Sequence, residues 1–225
     1  MPLPTIPCDI DRVPTKEYII DKIREWIITL EFAPGEKIAD TDIAAYFGVS
    51  RTPIREVLKI LEQQKLIETY PGRATVVAEF RPDKIEELYI PMRSLQCLAV
   101  KIAADKASED DITQLIELNE DFYVKMLNRD ADVFGVLMAD RMFHLKIEQI
   151  CGNEYLSDFC STLWPHVARL DYLFFRDTTA ISESYNDHLA MINAIRLRDP
   201  FGAELAMQNN WTNSMLGILG IVGEN

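Results

Sequence analysis

Between Gly48 and Glu79 the chain changes its periodicity once, and that change excludes most folds. After Gly48, Ile54, Val57, Leu58 and Leu61 recur at i, i+3, i+4 and i+7, the spacing of one helical face. Beyond Lys65 the pattern becomes short β-branched and aromatic runs, LIETY and ATVVAEF, on either side of Pro71-Gly72-Arg73. Such runs around a turn read as a β-hairpin. Upstream, Ile19, Ile20, Ile23, Trp26, Ile27 and Leu30 mark a helix that Pro34-Gly35 stops. A short helix over 41–47 follows, with Ile43, Ala44 and Phe47 on one side and Gly48 at its end. Three helices and a two-stranded ribbon in this order predict a winged helix-turn-helix.

The third helix begins unusually. Ser50, Arg51, Thr52, Pro53 and Arg55 occupy its first turns. Pro53 fits there, because first-turn N–H groups have no helical partner. Ser50 and Thr52 are both able to cap it. Two arginines are harder to place, since the helix dipole puts positive potential at this end and favours anions. With the apolar stripe turned to the core, Arg51, Arg55 and Lys59 face outward. In a helix-turn-helix this end of the helix enters the major groove, where arginine binds guanine and serine or threonine reaches bases or phosphates. Arg51 and Arg55 are therefore the expected readers of DNA, with Ser50 and Thr52 supporting them.

The formal charge of −13 over 225 residues argues at first against DNA. Its distribution answers the objection. Residues 1–80 hold 10 Lys/Arg against 13 Asp/Glu, and residues 81–225 hold 13 against 23. Over 50–75, Arg51, Arg55, Lys59, Lys65 and Arg73 outnumber Glu56, Glu62 and Glu68. A local basic face matters more for DNA contact than the global sum. The four cysteines (Cys8, Cys97, Cys151, Cys160) form no CxxC pair, as expected of reduced thiols in a cytosol. With no apolar run long enough for a bilayer and no signal-peptide pattern at the start, a cytoplasmic location is the expectation.

From Arg81 onward the pattern is helical throughout, over about 82–106, 109–127, 130–150, 153–175, 181–198 and 200–219. Pro91 is expected to kink the first of these. The chain thus reads as a winged helix over 1–80, a short linker near Glu79–Pro82, and an all-α bundle over 81–225: a mainly α protein. The bundle holds all three histidines of the chain, His144, His166 and His188. Asp140 and His144 are four apart and share a helix face. Together with His188 they are donors of the kind that bind a first-row divalent metal. Asp-x3-His is equally the pattern of a helical ion pair.

The run PGEKIADTDIAAYFGVSRTPIREVLKILEQQKLIE, with its GVSRTPIRE core, resembles the DNA-binding domain of the GntR family of bacterial transcription regulators over nearly all of 16–79. The resemblance implies that Ser50, Arg51, Thr52 and Arg55 approach DNA and that the wing tip, here Gly72 and Arg73, meets the minor groove. The family often has arginine-glycine at that tip; here the order is Gly72-Arg73-Ala74. Some members carry an arginine near the position of Thr41, and this chain does not. ADRMFHLKIEQICGNEYL and DHLAMINAIRLRDP resemble the FCD effector domain of the FadR-type branch, over most of 82–219. Many such domains hold a metal through one aspartate and three histidines. Asp140, His144 and His188 match three of those places. Met207-Gln208-Asn209-Asn210 stands where a Met-x-x-His pattern is usual, so Asn210 replaces the fourth ligand. Zinc, nickel or manganese is the implied ion. Arg93 matches an arginine that commonly lines the effector cavity, while Gln96 stands where glutamate is usual. Arg169 is a second candidate for gripping a carboxylate. Tyr89, Tyr123, Tyr172 and Trp211 are candidate lining residues, whereas His166 reads as structural.

The expected function is that of a metabolite-responsive transcription factor, not an enzyme. It binds a palindromic operator as a homodimer, acts as a repressor, and releases DNA when a small carboxylic or sugar acid enters the bundle. Two other readings compete: a metal-dependent enzyme using Asp140, His144 and His188, and a DNA-binding protein whose second domain is a purely structural dimer module.

Overall fold

The computed structural model describes residues 15–70, 74–128, 132–176 and 178–223. The chain divides into two compact units between Arg81 and Pro82.

In the first unit, α1 (Lys16–Ile28) starts at Thr15, whose side chain accepts the Tyr18 N–H. It buries Ile19, Ile23, Trp26, Ile27 and Ile28. Helix α2 (Asp40–Phe47) ends at Gly48, which has φ +65°. No neighbour would obstruct a Cβ there, so the glycine is required by its left-handed backbone rather than by space. Helix α3 (Arg51–Gln63) follows after two residues. Ser50 is its cap by position, with extended backbone, but its side chain makes no capping bond. The predicted stripe of Ile54, Val57, Leu58 and Leu61 is the buried face of α3. It packs with Trp26, Ile43 and Phe47 in one hydrophobic core.

The ribbon has a third strand that the sequence does not announce. β1 (Lys37–Ile38), β2 (Ile67–Tyr70) and β3 (Ala74–Val77) form an antiparallel sheet in the order β1-β3-β2. Thr69 pairs with Thr75 and Ile38 also faces Thr75. Two residues are too few to display an alternation, so β1 escapes a reading by period. Gly72 and Arg73, at the expected wing tip, lie outside the described residues.

The second unit opens with a 3-10 turn (Pro82–Lys84). Among the described residues the helices that follow are α4 (Ile85–Lys106), α5 (Glu109–Leu127), α6 (Val133–Cys151), α7 (Glu154–Phe174), α8 (Thr178–Arg196) and α9 (Pro200–Gly223). Pro91 lies inside α4, which continues through it as a single helix. Pro165 is accommodated likewise in α7. Ser108 and Asp111 form a reciprocal capping box at the start of α5. Helix α4 packs against α6, α7, α8 and α9, and α9 also lies along α8 and α7. Gly217 lets α9 close on α7: a Cβ there would stand 2.4 Å from a ring carbon of Phe174. This arrangement turns one face of α6, α8 and α9 toward the same interior. No helix among the described residues is long and apolar enough to cross a membrane.

Candidate functional site

Two constellations stand apart from ordinary packing, one in each unit. At the start of α3, Arg51 and Arg55 are one turn apart and exposed, their side chains 52% and 64% accessible. Both reach back to Asp40, the first residue of α2. Arg51 Nη2 donates to Asp40 Oδ1 at 2.9 Å and Oδ2 at 3.0 Å, and Arg55 Nε donates to Oδ2 at 2.8 Å. The bond from Arg55 leads in holding the Asp40 carboxyl below its ordinary range; desolvation opposes it, and Arg51 adds to the lowering. Ser50 and Thr52 are exposed beside them. Farther along α3, Glu62 accepts the Thr69 backbone N–H and ties the helix to β2. Between α2, α3 and the sheet lies a cleft of about 740 Å³, lined by Asp40, Arg51, Arg55, Lys59, Tyr70 and Thr75 among others.

Inside the helical unit, Asp140 and His144 on α6 meet His188 from α8, with one ligand atom of each within 4.8 Å of the others. His188 Nε2 is 3.4 Å from Asp140 Oδ1, and His144 Nε2 is 3.9 Å from Asp140 Oδ2. Both imidazoles are almost wholly buried, while Asp140 keeps 14% of its side-chain surface. Burial drives His144 down to about 4, with Asp140 opposing, so its ring is neutral near pH 7. Asp140 is held below its ordinary range although burial pushes the other way; contact with His188 and the charges of His144, His188 and Arg141 outweigh it.

The tautomer of His188 is set by a residue that the sequence reading passed over. His188 Nδ1 is 3.0 Å from Asn119 Oδ1 on α5, and Asn119 Nδ2 donates to the Tyr185 carbonyl. The amide oxygen is thus the acceptor, so Nδ1 carries a proton and Nε2 is the nitrogen that faces Asp140. Nε2 is buried with no hydrogen-bond partner among the described residues. Phe143 stacks on the ring at 3.9 Å. A buried imidazole nitrogen facing a carboxylate oxygen calls for positive charge between them, a proton or a metal ion. Two ligands about 2.1 Å from one tetrahedral ion are about 3.4 Å apart, which matches the closest pair here. These residues therefore fit a divalent metal. Asn119 had a visible signal, since it falls on the buried stripe of α5 with Ile112, Leu115 and Phe122.

Asn210 is buried on α9, within side-chain reach of both His144 and Asp187. Trp211, also buried, places its ring 5.3 Å from His144 and 6.0 Å from Tyr89. The Tyr89 hydroxyl donates to Asp171 Oδ1 at 2.6 Å, and Ser214 Oγ donates to the same oxygen at 2.7 Å. Arg93 is half-buried and donates to Thr212 Oγ1 at 3.1 Å. Arg169 is buried on α7, where desolvation lowers it to about 10, which leaves it charged at neutral pH. Gln96 belongs to another buried cluster: it donates to Glu148 Oε1, as does Arg141. Tyr123 is on the surface against Tyr185 rather than lining an interior, and Tyr172 lies under Arg176. His166 is half-buried on α7.

Comparison with known proteins agrees with both halves. Residues 15–77 match the model for bacterial regulatory proteins of the gntR family, and residues 87–213 match the FCD domain. The HTH-type transcriptional regulator YdhC of Bacillus subtilis is 26% identical over 64% of this chain and 65% of its own length. The HTH-type transcriptional repressor RspR of Escherichia coli is 25% identical over 86% of this chain and 84% of its own. Among solved structures, Escherichia coli McbR/YncC superposes with a TM-score of 0.81 at 19% identity, over 95% of this chain and all of that one; the likeness concerns the fold.

Proposed function

The chain belongs to the bacterial GntR regulators that carry an FCD domain, and from that premise we propose that it is a repressor that senses a small organic acid. The family is one of DNA-binding transcription regulators, not of enzymes. In this reading two chains associate, and each presents the start of α3 to one half of a palindromic operator. The observation that carries it is the pair of exposed guanidiniums, Arg51 and Arg55, side by side at the beginning of a helix with no acidic residue in its first turn. Such a pair suits guanine edges and phosphates. Thr52 and Ser50 support it from the same turn, and Gly72 and Arg73 reach the minor groove.

The helical unit is the sensor. Asp140, His144 and His188 would hold a zinc, nickel or manganese ion, with Asn210 as a weaker oxygen donor in the fourth place. A bound divalent ion supplies a Lewis-acidic anchor for a carboxylate oxygen. Arg93 and Arg169 would pair with further carboxylate or hydroxyl oxygens of the effector, and Tyr89 and Trp211 would line its site. Effector binding shifts the protein between two states by its difference in affinity for them.

Thermal unfolding tests the sensor. The wild-type chain and His188→Ala are melted with a panel of small organic acids, each with chelator, zinc, nickel or manganese. A ligand at 100 times its Kd stabilises the native state by about 2.7 kcal/mol. The expected result is a metal-dependent rise in Tm that an acid extends and that His188→Ala abolishes. No shift with any metal or acid would leave the second unit a purely structural dimer module.

A further inference from the structure

Asp40 does not explain itself as a stabilising residue. Ion pairs between exposed side chains contribute about 0–1 kcal/mol, and both its partners are more than half exposed. Yet one carboxylate accepts three bonds from two arginines, across two helices. Arg51 and Arg55 are like charges one turn apart at the positive end of α3, and α3 has no acid of its own in that turn. Without Asp40 the two side chains would repel each other and spread over many rotamers. With it, Arg51 is chelated through Nη2, and Arg55 is held through Nε, the nitrogen nearest its stem. The Nη atoms of Arg55 make no bond to protein among the described residues. They form the outer edge of the guanidinium, which is the edge that grips a base bidentately. Asp40 itself is only 19% accessible, and it lines the same cleft as Lys59 and Thr75.

We propose that Asp40 is a specificity-determining positioning residue: it fixes Arg51 and Arg55 as one preoriented donor pair and at the same time subtracts charge from the DNA-facing surface. This deepens the reading of α3 as the DNA-reading helix and rests on it. Preorientation removes the rotamer entropy that two arginines would otherwise lose on binding, and the gain is realised only where bases match the fixed donors. The negative charge has the opposite effect on sequence-independent attraction to phosphates, which grows with every net positive charge. Both effects widen the gap between right and wrong sequences, and that gap is what specificity means.

The test begins with the wild-type chain and a randomised duplex library, from which the preferred duplex is selected. Affinities for that duplex and for a scrambled duplex are then measured by fluorescence anisotropy for wild type, Asp40→Asn and Arg55→Ala, with circular dichroism melting of each. For Asp40→Asn the ratio of preferred to scrambled affinity falls by about tenfold or more, on the scale of one bidentate base contact, while scrambled-duplex affinity holds or rises. A structural role would lower both affinities together, and that outcome overturns the proposal. An unchanged ratio in a normally melting Asp40→Asn, alongside a weakened Arg55→Ala, overturns it too and leaves the reading of α3 intact. If no duplex is enriched, or if Arg55→Ala binds as wild type does, the reading of α3 itself fails and the proposal falls with it.

Discussion

Asp40 lies between two arginines at the rim of the N-terminal unit, and Asp140 lies between two histidines inside the helical one. At Asp40 the partners are guanidiniums that stay charged at any ordinary pH, so the triad carries a net positive charge and is solvated. Its remaining N–H donors face outward, ready for an anion. At Asp140 burial removes the charge from His144, and the neighbouring Arg141 is engaged with Glu148. Two imidazole nitrogens and a carboxylate are left facing one another beside Phe143, an arrangement that suits a cation. A carboxylate between two nitrogen-bearing side chains thus suits opposite partners, an anion outside and a cation inside, and depth of burial decides which.

Asp171 is a third carboxylate that sharpens this contrast. It is buried as Asp140 is, but its donors among the described residues are hydroxyls, from Tyr89 and Ser214. Burial, with the charge of Asp140 adding, pushes it up to about 7 from an ordinary 3.8 despite those bonds. Because the folded value is the higher one, stability from this group is complete below about pH 4 and is lost as pH rises through about 7. The gap is worth about 4 kcal/mol at about 1.4 kcal/mol per factor of ten. In chelator, Asp171→Asn keeps an acceptor for Tyr89 and Ser214 and is expected to lose this part of the fall in Tm between those values. Parallel Tm-versus-pH curves for the two proteins would show that burial does not dominate at Asp171.

Breaking the outer triad comes next in size. Arg55→Ala is expected to weaken binding to the selected duplex by about tenfold to a hundredfold, with Tm nearly unchanged because the side chain is mostly solvated. A large loss of Tm with little loss of DNA affinity would reverse the comparison and make Arg55 structural. The smallest effect falls on the inner cluster. Asn119→Ala frees His188 to take the other tautomer, and loss of such an orienting partner lowers metal affinity by about tenfold. Metal titration followed by Tm checks this; equal affinity would mean that Phe143 stacking alone orients the ring.

Some of these contacts had signals in the sequence and others had none. Asn119 was legible as a polar residue on an apolar stripe, and Asp140 with His144 as an i, i+4 pair. Asp40 had no such signal, since its partners are 11 and 15 residues away and no period links them. Asp171 and Ser214 meet from α7 and α9, a pairing that no spacing encodes.

What could be read from the sequence alone is local: the stripe of α3, the glycine that ends α2, and the order of a winged helix followed by a bundle. These depend on 3.6- and 2-residue periods and on backbone preferences that act within a few positions. The short strand β1 and the partners of Arg51, Arg55, His188 and Asp171 were decided only by the tertiary structure. Each is a contact between elements far apart in the chain, and the resulting burial sets the charge state that gives the group its chemistry.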